Sequence, residues 1–487
     1  MKKNLLLMLF ASCMAGTTVA NASSLRVPMG IEQPNRPATE IISSIAIGNL
    51  KYNLDTETKT AELAKNAIVD VTIDDITVPE TVEFEGVTYT VTSIANGAFQ
   101  YRDILRFVTL PETITKIDDR AFIKCIALES VNFPNSVTYI GARAFKDCEC
   151  LLEAILPENL ETLGEEAFYN CASLRKVEMF DKVTEILNST FGYCRALSEI
   201  NLPSKLVRIG NQAFYSCQFV TDFNVPETVE EIGEYAFGTC VSLTNIYVPS
   251  KVTEIKDGTY INCIGIKSVD IPDRITKIGY SAFAYCEALE NITIGSNVEF
   301  IGATAFNGCP GSFVTFKDGD KPCLIDNTNL GQARVSAFDG VQIAELYIGR
   351  EVQYFNDWKS EFFKTLTLGP NLKVWHDEYC QKQAVKIVSK IQDPTVFAPV
   401  FDNKIYEETK LVVPVGTLDA YSTAEGWKNF AKIIDEAGTP AAIEGVATDG
   451  ADVLGYFSED GIRSDKPMKG LNIVKLSNGA TKKIFIK

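Results

Sequence analysis

Histidine is almost missing from this chain: among 487 residues, His376 is the only one. A Ser-His-Asp triad or a histidine-based metal site would have to use it. No CxxC pair occurs, and no P-loop, Rossmann glycine cluster or HExxH motif. His376 and Cys380 stand four apart, which on a helix would share a face, but no motif surrounds them. Carboxylate pairs such as Glu165-Glu166 and Glu230-Glu231 carry no weight where 63 residues are acidic. The expectation is a protein with no catalytic residues, no metal and no cofactor. Positive charge is scarce too: 46 Lys and Arg leave a net charge of −17. Without basic runs, nucleic acid and anionic membranes are poor partners.

Long apolar runs are lacking beyond the first 22 residues, and none approaches the ~18 residues that span a bilayer. The start reads as an export signal, with Lys2 and Lys3, an apolar region from Leu5 to Phe10, and a small-residue cleavage site at Ala20-Asn21-Ala22. A lipoprotein signal ending at Cys13 is the alternative, although Phe10 is bulky for that position. The chain is therefore expected to be exported, at the cell surface or outside it, and not to span the membrane.

What the sequence has in abundance is repetition. Phe99, Phe122, Phe145, Phe168, Phe191, Phe214, Phe237, Tyr260, Phe283 and Phe306 follow one another at intervals of 23 residues. Three residues after all but the first come Cys125, Cys148, Cys171, Cys194, Cys217, Cys240, Cys263, Cys286 and Cys309. Five residues before each aromatic stands Ile or Leu, as at Ile117, Leu163 and Ile209. Such a period marks a solenoid, whose coils bury their apolar faces only by stacking. Stacked cysteines would sit at the ~4.8 Å strand spacing with parallel Cβ vectors, which opposes the torsion of a disulfide. A ladder of reduced, buried thiols follows.

Within a coil, Leu128-Glu129-Ser130-Val131-Asn132-Phe133-Pro134 alternates as a short strand, Val131 and Phe133 inward and Asn132 outward. Proline closes it at Pro111, Pro134, Pro157, Pro203, Pro226, Pro249 and Pro272. Gly141, Gly164, Gly210, Gly233, Gly279 and Gly302 are expected at turns of positive φ. Upstream, Leu50 to Leu63 and a hairpin of Val82-Glu83-Phe84 with Val87 to Val91 make a β-rich cap for the first coil.

The pattern I-G-x-x-A-F-x-x-C-x-x-L-x-x-I-x-L-P, clean at Ile209 to Cys217 and Ile278 to Cys286, resembles the leucine-rich repeats of the BspA-like surface proteins. The likeness is strong over residues 94–314 and resumes weakly to about 435. It implies a right-handed, β-rich solenoid of 23-residue leucine-rich repeats on the cell surface, with family members that attach to host matrix or plasma proteins. Residues 1–22 are then the signal peptide and 23–92 the leader and N-terminal β-hairpin cap. Regular repeats fill 93–314, with degenerate repeats and an exit cap over 315–435, a linker at 436–452 and a small β-rich tail at 453–487. After Cys309 the register is expected to fail, with an insertion from Pro310 to Leu330. Leu346 to Gly349 and Leu366 to Gly369 repeat 20 apart, and Leu418 to Ile434 reads as helical. Lys469 to Val474 is similar to C-terminal sorting segments of exported proteins from the Gram-negative gut and oral anaerobes in which BspA-like proteins occur.

Function is expected on the outward positions of the strands. One lane holds Asn132, Ile155, Glu178, Asn201, Asn224, Tyr247, Asp270 and Thr293. The next holds Ser130, Glu153, Lys176, Glu199, Asp222, Asn245, Ser268 and Asn291. These lanes are polar and poor in aromatics, which favours a protein ligand over a glycan. The alternative is glycan capture or an envelope scaffold without adhesion.

Overall fold

The computed structural model describes residues 41–326, 329–330, 333–334, 336–353, 362–376, 383–439, 453–458, 463–464, 470–477 and 481–486. The expected signal peptide, Cys13, Cys380, Lys469 and most of the 436–452 linker lie outside them.

The chain is a β-solenoid whose column of aromatic rings sets its geometry. Phe99 stacks on Phe122 with centroids 4.8 Å apart, and the column runs unbroken to Phe306, which stacks on Phe338 at 5.0 Å. Parallel offset rings at this distance match the strand spacing, so one aromatic per coil fills the core without a gap. Every cysteine of the ladder is free and buried. Each thiol also donates a hydrogen bond to the carbonyl of the preceding coil's aromatic, as Cys148 Sγ does to Phe122 O (3.1 Å) and Cys217 Sγ to Phe191 O (3.3 Å). The small apolar thiol therefore ties one coil to the next as well as filling space.

Most regular coils contribute two strands, not the one expected. Besides the L-x-x-V-x-F strand, the residues before each Ile or Leu form a second, two-residue strand: Tyr139–Ile140 pairs in parallel with Lys116–Ile117 and with Thr162–Leu163. Two residues are too few to show an alternation, so this sheet leaves no signature of its own in the residue pattern.

The six glycines were expected at positive φ, and none has it. Their reason is space. A Cβ on Gly141 would come within 2.5 Å of the Asp119 amide nitrogen and carboxylate, and one on Gly210 within 2.8 Å of the Asn188 amide. Asp119 and Asn188 need that approach, because they accept the amide hydrogens of Ala142 (2.8 Å) and Asn211 (2.9 Å) in the next coil. The left-handed turns lie two residues before and two after each ring, and most carry side chains. Examples are Arg143 (φ 58°) and Asp147 (φ 61°) around Phe145, or Gln212 (φ 54°) and Ser216 (φ 65°) around Phe214. A non-glycine residue costs about 1–2 kcal/mol there. The compensation is a bond to the next coil, as from Arg143 N to Glu165 O and from Asp147 N to Tyr169 O, both 2.8 Å.

The N-terminal cap begins with an antiparallel meander of Ile41–Ile47, Leu50–Asp55 and Thr60–Ile68. The hairpin Thr81–Phe84 with Val87–Ile94 then leads into the second sheet, Ile94 pairing with Ile117. Past Cys309, part of the expected insertion continues the solenoid. Phe313–Phe316 pairs in register with Asn291–Ile294 and with Glu345–Ile348, so the ladder slips in sequence but not in space. Buried Arg350 pins this region, donating from Nη2 to Gly295 O (2.8 Å) and from Nη1 to Ser296 O (2.8 Å). The 20-residue repeat is real pairing, Leu346 against Leu366. The exit cap is only partly helical. Leu418–Thr423 is a helix, whereas Ile434 belongs to the strand Lys432–Asp435 that ends the sheet. Separately, Gly470–Leu476 pairs antiparallel with Val453–Ser458 and Thr481–Ile486.

Candidate binding face

Parallel pairing brings the expected lanes into rows. Glu153, Lys176 and Glu199 are directly opposed, as are Ile155, Glu178 and Asn201, and further on Ser268 faces Asn291 and Asp270 faces Thr293. All these side chains are exposed except Lys176, Glu178 and Thr293, which are half-buried. The rows extend beyond the regular repeats. Asn291 continues through Phe313, Glu345, Thr365, Lys386 and Lys410 to Lys432, and Thr293 continues through Thr315 and Tyr347 to Thr367. Sequence reasoning missed this half of the face because the period there is no longer 23. The paired Leu346 and Leu366 motifs held the signal.

The face is not continuous. The face strand does not form in the two coils carrying Asp222 with Asn224 and Asn245 with Tyr247, between Glu199–Asn201 and Ser268–Asp270. The cause is Phe223, which stands where other coils have Val131, Ala154, Val177 or Ile200. Its ring wedges against Phe214 and Phe237, with centroids at 4.8 and 4.7 Å, and those two rings are 5.9 Å apart, the widest step in the column. Asn224 turns left-handed (φ 44°), its amide donating to Asp222 Oδ1 (2.8 Å), and strand pairing stops. A small, open notch results, lined by Phe223, Asn245, Tyr247 and Tyr260. Four residues of the two expected lanes, Asp222, Asn224, Asn245 and Tyr247, thus lie in a break instead of continuing a row. A smaller break follows Ser130–Val131, where the Asn132 side chain binds both the amide (2.7 Å) and the carbonyl (2.8 Å) of Leu110. That side chain is committed to the fold.

Several outward groups are tied by charge. Lys317 Nζ lies 2.8 Å from Asp270 and Lys176 3.5 Å from Glu178. Tyr247 donates to Glu227, which also accepts the Ser250 amide (2.8 Å); these bonds hold the Glu227 carboxyl at about 2. Burial and the Asp318 carboxylate, 2.9 Å away, push the Tyr347 hydroxyl up to about 12. His376 Nε2 lies 3.1 Å from Glu351 Oε1. Among the described residues, no cluster of three or more His, Cys, Asp or Glu is placed to hold a metal, and no helix is long and apolar enough to cross a membrane.

Two short parallel strands per coil, an aromatic column and an outward polar face define a leucine-rich repeat solenoid. Residues 80–198 and 184–312 match the BspA type leucine rich repeat region, in six copies, and over these residues the chain is a BspA-type repeat protein. No curated protein matches the chain. Among solved structures it is similar to a leucine-rich repeat protein from Bacteroides ovatus, at 21% identity and a TM-score of 0.49 over 80% of this chain and 94% of that one. It is also similar to the pneumococcal vaccine antigen PcpA, at 20% identity and a TM-score of 0.46 over 82% and 99%. A leucine rich cell surface protein from Faecalibacterium prausnitzii shares 27% identity, with a TM-score of 0.32 over 57% and 94%.

Proposed function

We propose that the chain is an exported cell-surface protein that binds other macromolecules, acting as an adhesin for host matrix or plasma proteins through its strand face. The observation that carries this reading is the extent of that face. Outward side chains, most of them polar or charged, recur on paired strands from Glu153 to Asn201 and again from Ser268 to Lys432, on either side of the break at Phe223. Such a surface suits one broad protein partner held by contacts on several coils, with a few of them dominant. The BspA-type repeat supports the same reading.

The test is binding of the full chain to immobilised matrix and plasma proteins and to a glycan array. Saturable protein binding, lost when Asn224, Tyr247 and Asp270 are changed together, is the expected result. Binding to glycans alone would replace the adhesin with a capture protein. Silence on both would leave an envelope scaffold.

A further inference from the structure

The last three strands of the face place Lys386 opposite Lys410 and Lys410 opposite Lys432. All three are exposed, on neighbouring rungs about 4.8 Å apart. Like charges directly opposed in a sheet repel. Lysines close by find carboxylates, Lys390 at 2.9 Å from Glu436 and Lys364 at 4.0 Å from Glu345. Among the described residues, no carboxylate pairs with the three rungs. A chain of net charge −17 thus ends its strand face on three adjacent, uncompensated cations.

We infer that this lysine ladder is the docking site for an acidic, extended polypeptide segment of the protein partner, an inference that rests on the adhesin reading above. Charge complementarity selects an anion, and two features select a polypeptide over a sulfated polysaccharide. The cations are all lysine, point charges without the planar fork by which arginine grips sulfate or phosphate. Apolar side chains accompany them: Val385 precedes Lys386 and is 63% exposed, and Phe313 on the same row is 42% exposed. A segment carrying carboxylates and aliphatic side chains covers both kinds of surface, whereas a sulfated sugar leaves the apolar groups in water.

The test uses the full chain, a labelled peptide of alternating glutamate and valine, and a heparin oligosaccharide, read by fluorescence anisotropy. The peptide should bind at low salt and weaken at least about tenfold when Lys386, Lys410 and Lys432 are all changed to Glu, and again at high salt, where exposed charges are screened. Lys205→Glu, outside the ladder, should change nothing. Should the triple variant fail to fold, Lys410→Gln removes the central charge and should weaken the peptide about threefold. Peptide binding indifferent to these changes overturns the inference, as does heparin bound more tightly than the peptide. Matrix or plasma protein captured equally well by the triple variant sinks the lysine ladder but leaves the adhesin. Capture lost only on changing Asn224, Tyr247 and Asp270 has the same meaning.

Discussion

Replacing Phe214 by alanine removes a ring that touches three aromatic neighbours at once. The side chain is fully buried, parallel to Phe191 at 5.7 Å and to Phe237 at 5.9 Å, with Phe223 tilted against it at 4.8 Å. Losing the burial of the ring costs about 2–3 kcal/mol. The backbone of each coil is bonded to both neighbours, Phe214 N to Ala236 O (2.9 Å) and Phe191 N to Ala213 O (2.9 Å), so the hole cannot close by sliding. The residual cavity adds to the transfer loss, for a total of about 3–5 kcal/mol. Urea unfolding followed by circular dichroism measures it. Hydrogen exchange should show protection falling first in the coils around Phe191 and Phe237, because in a stacked repeat the damage is passed to nearest neighbours. A variant that unfolds with its parent, or that loosens uniformly, would refute the load-sharing aromatic column.

Gly210→Ala should cost about 1–3 kcal/mol because its Cβ meets backbone, while Gln212→Gly, at a left-handed residue, should be neutral or stabilising by at most about 1 kcal/mol; thermal melts compare them. Asn224→Ala should lose about 1 kcal/mol for the same conformational reason and Asn224→Gly much less, in the same melts. In native protein, maleimide should label exposed Cys150 and spare the ladder, where burial pushes Cys194 and Cys240 up to about 12 and Cys217 well above its usual value; peptide mapping reads the pattern. Glu227, bonded to Tyr247 and Ser250, is held at about 2, below its unfolded value; its stabilising contribution is full above the ordinary glutamate range and is lost as pH falls toward 2. Glu227→Gln should therefore flatten the acid limb of a pH-dependent melt, and an unchanged limb would remove the group from that role.

The period made the core legible. Phe122, Cys125 and Leu128 are inward because a slip of one residue would expose the whole column, so their spacing cannot drift. What stayed hidden has no periodic signature. The second strand is too short to alternate. Most of the left-handed residues carry side chains, among them Arg143, Glu166, Gln212 and Ser216, since bonds between coils offset their strain. The break in the binding face comes from one oversized side chain, Phe223, whose sequence slot still reads as apolar and inward. Lys386, Lys410 and Lys432 are separated by 24 and 22 residues, so their alignment emerges only from strand pairing.

On the adhesin reading, the strand face, and not the second sheet, meets the partner. The most direct measurement compares two double charge reversals in binding to captured matrix or plasma protein: Glu153→Lys with Glu199→Lys on the strand face, and Glu161→Lys with Glu185→Lys beside the second sheet. All four positions are exposed. At least about a tenfold loss is expected for the first pair and no change for the second. A loss confined to the second pair would contradict that reading.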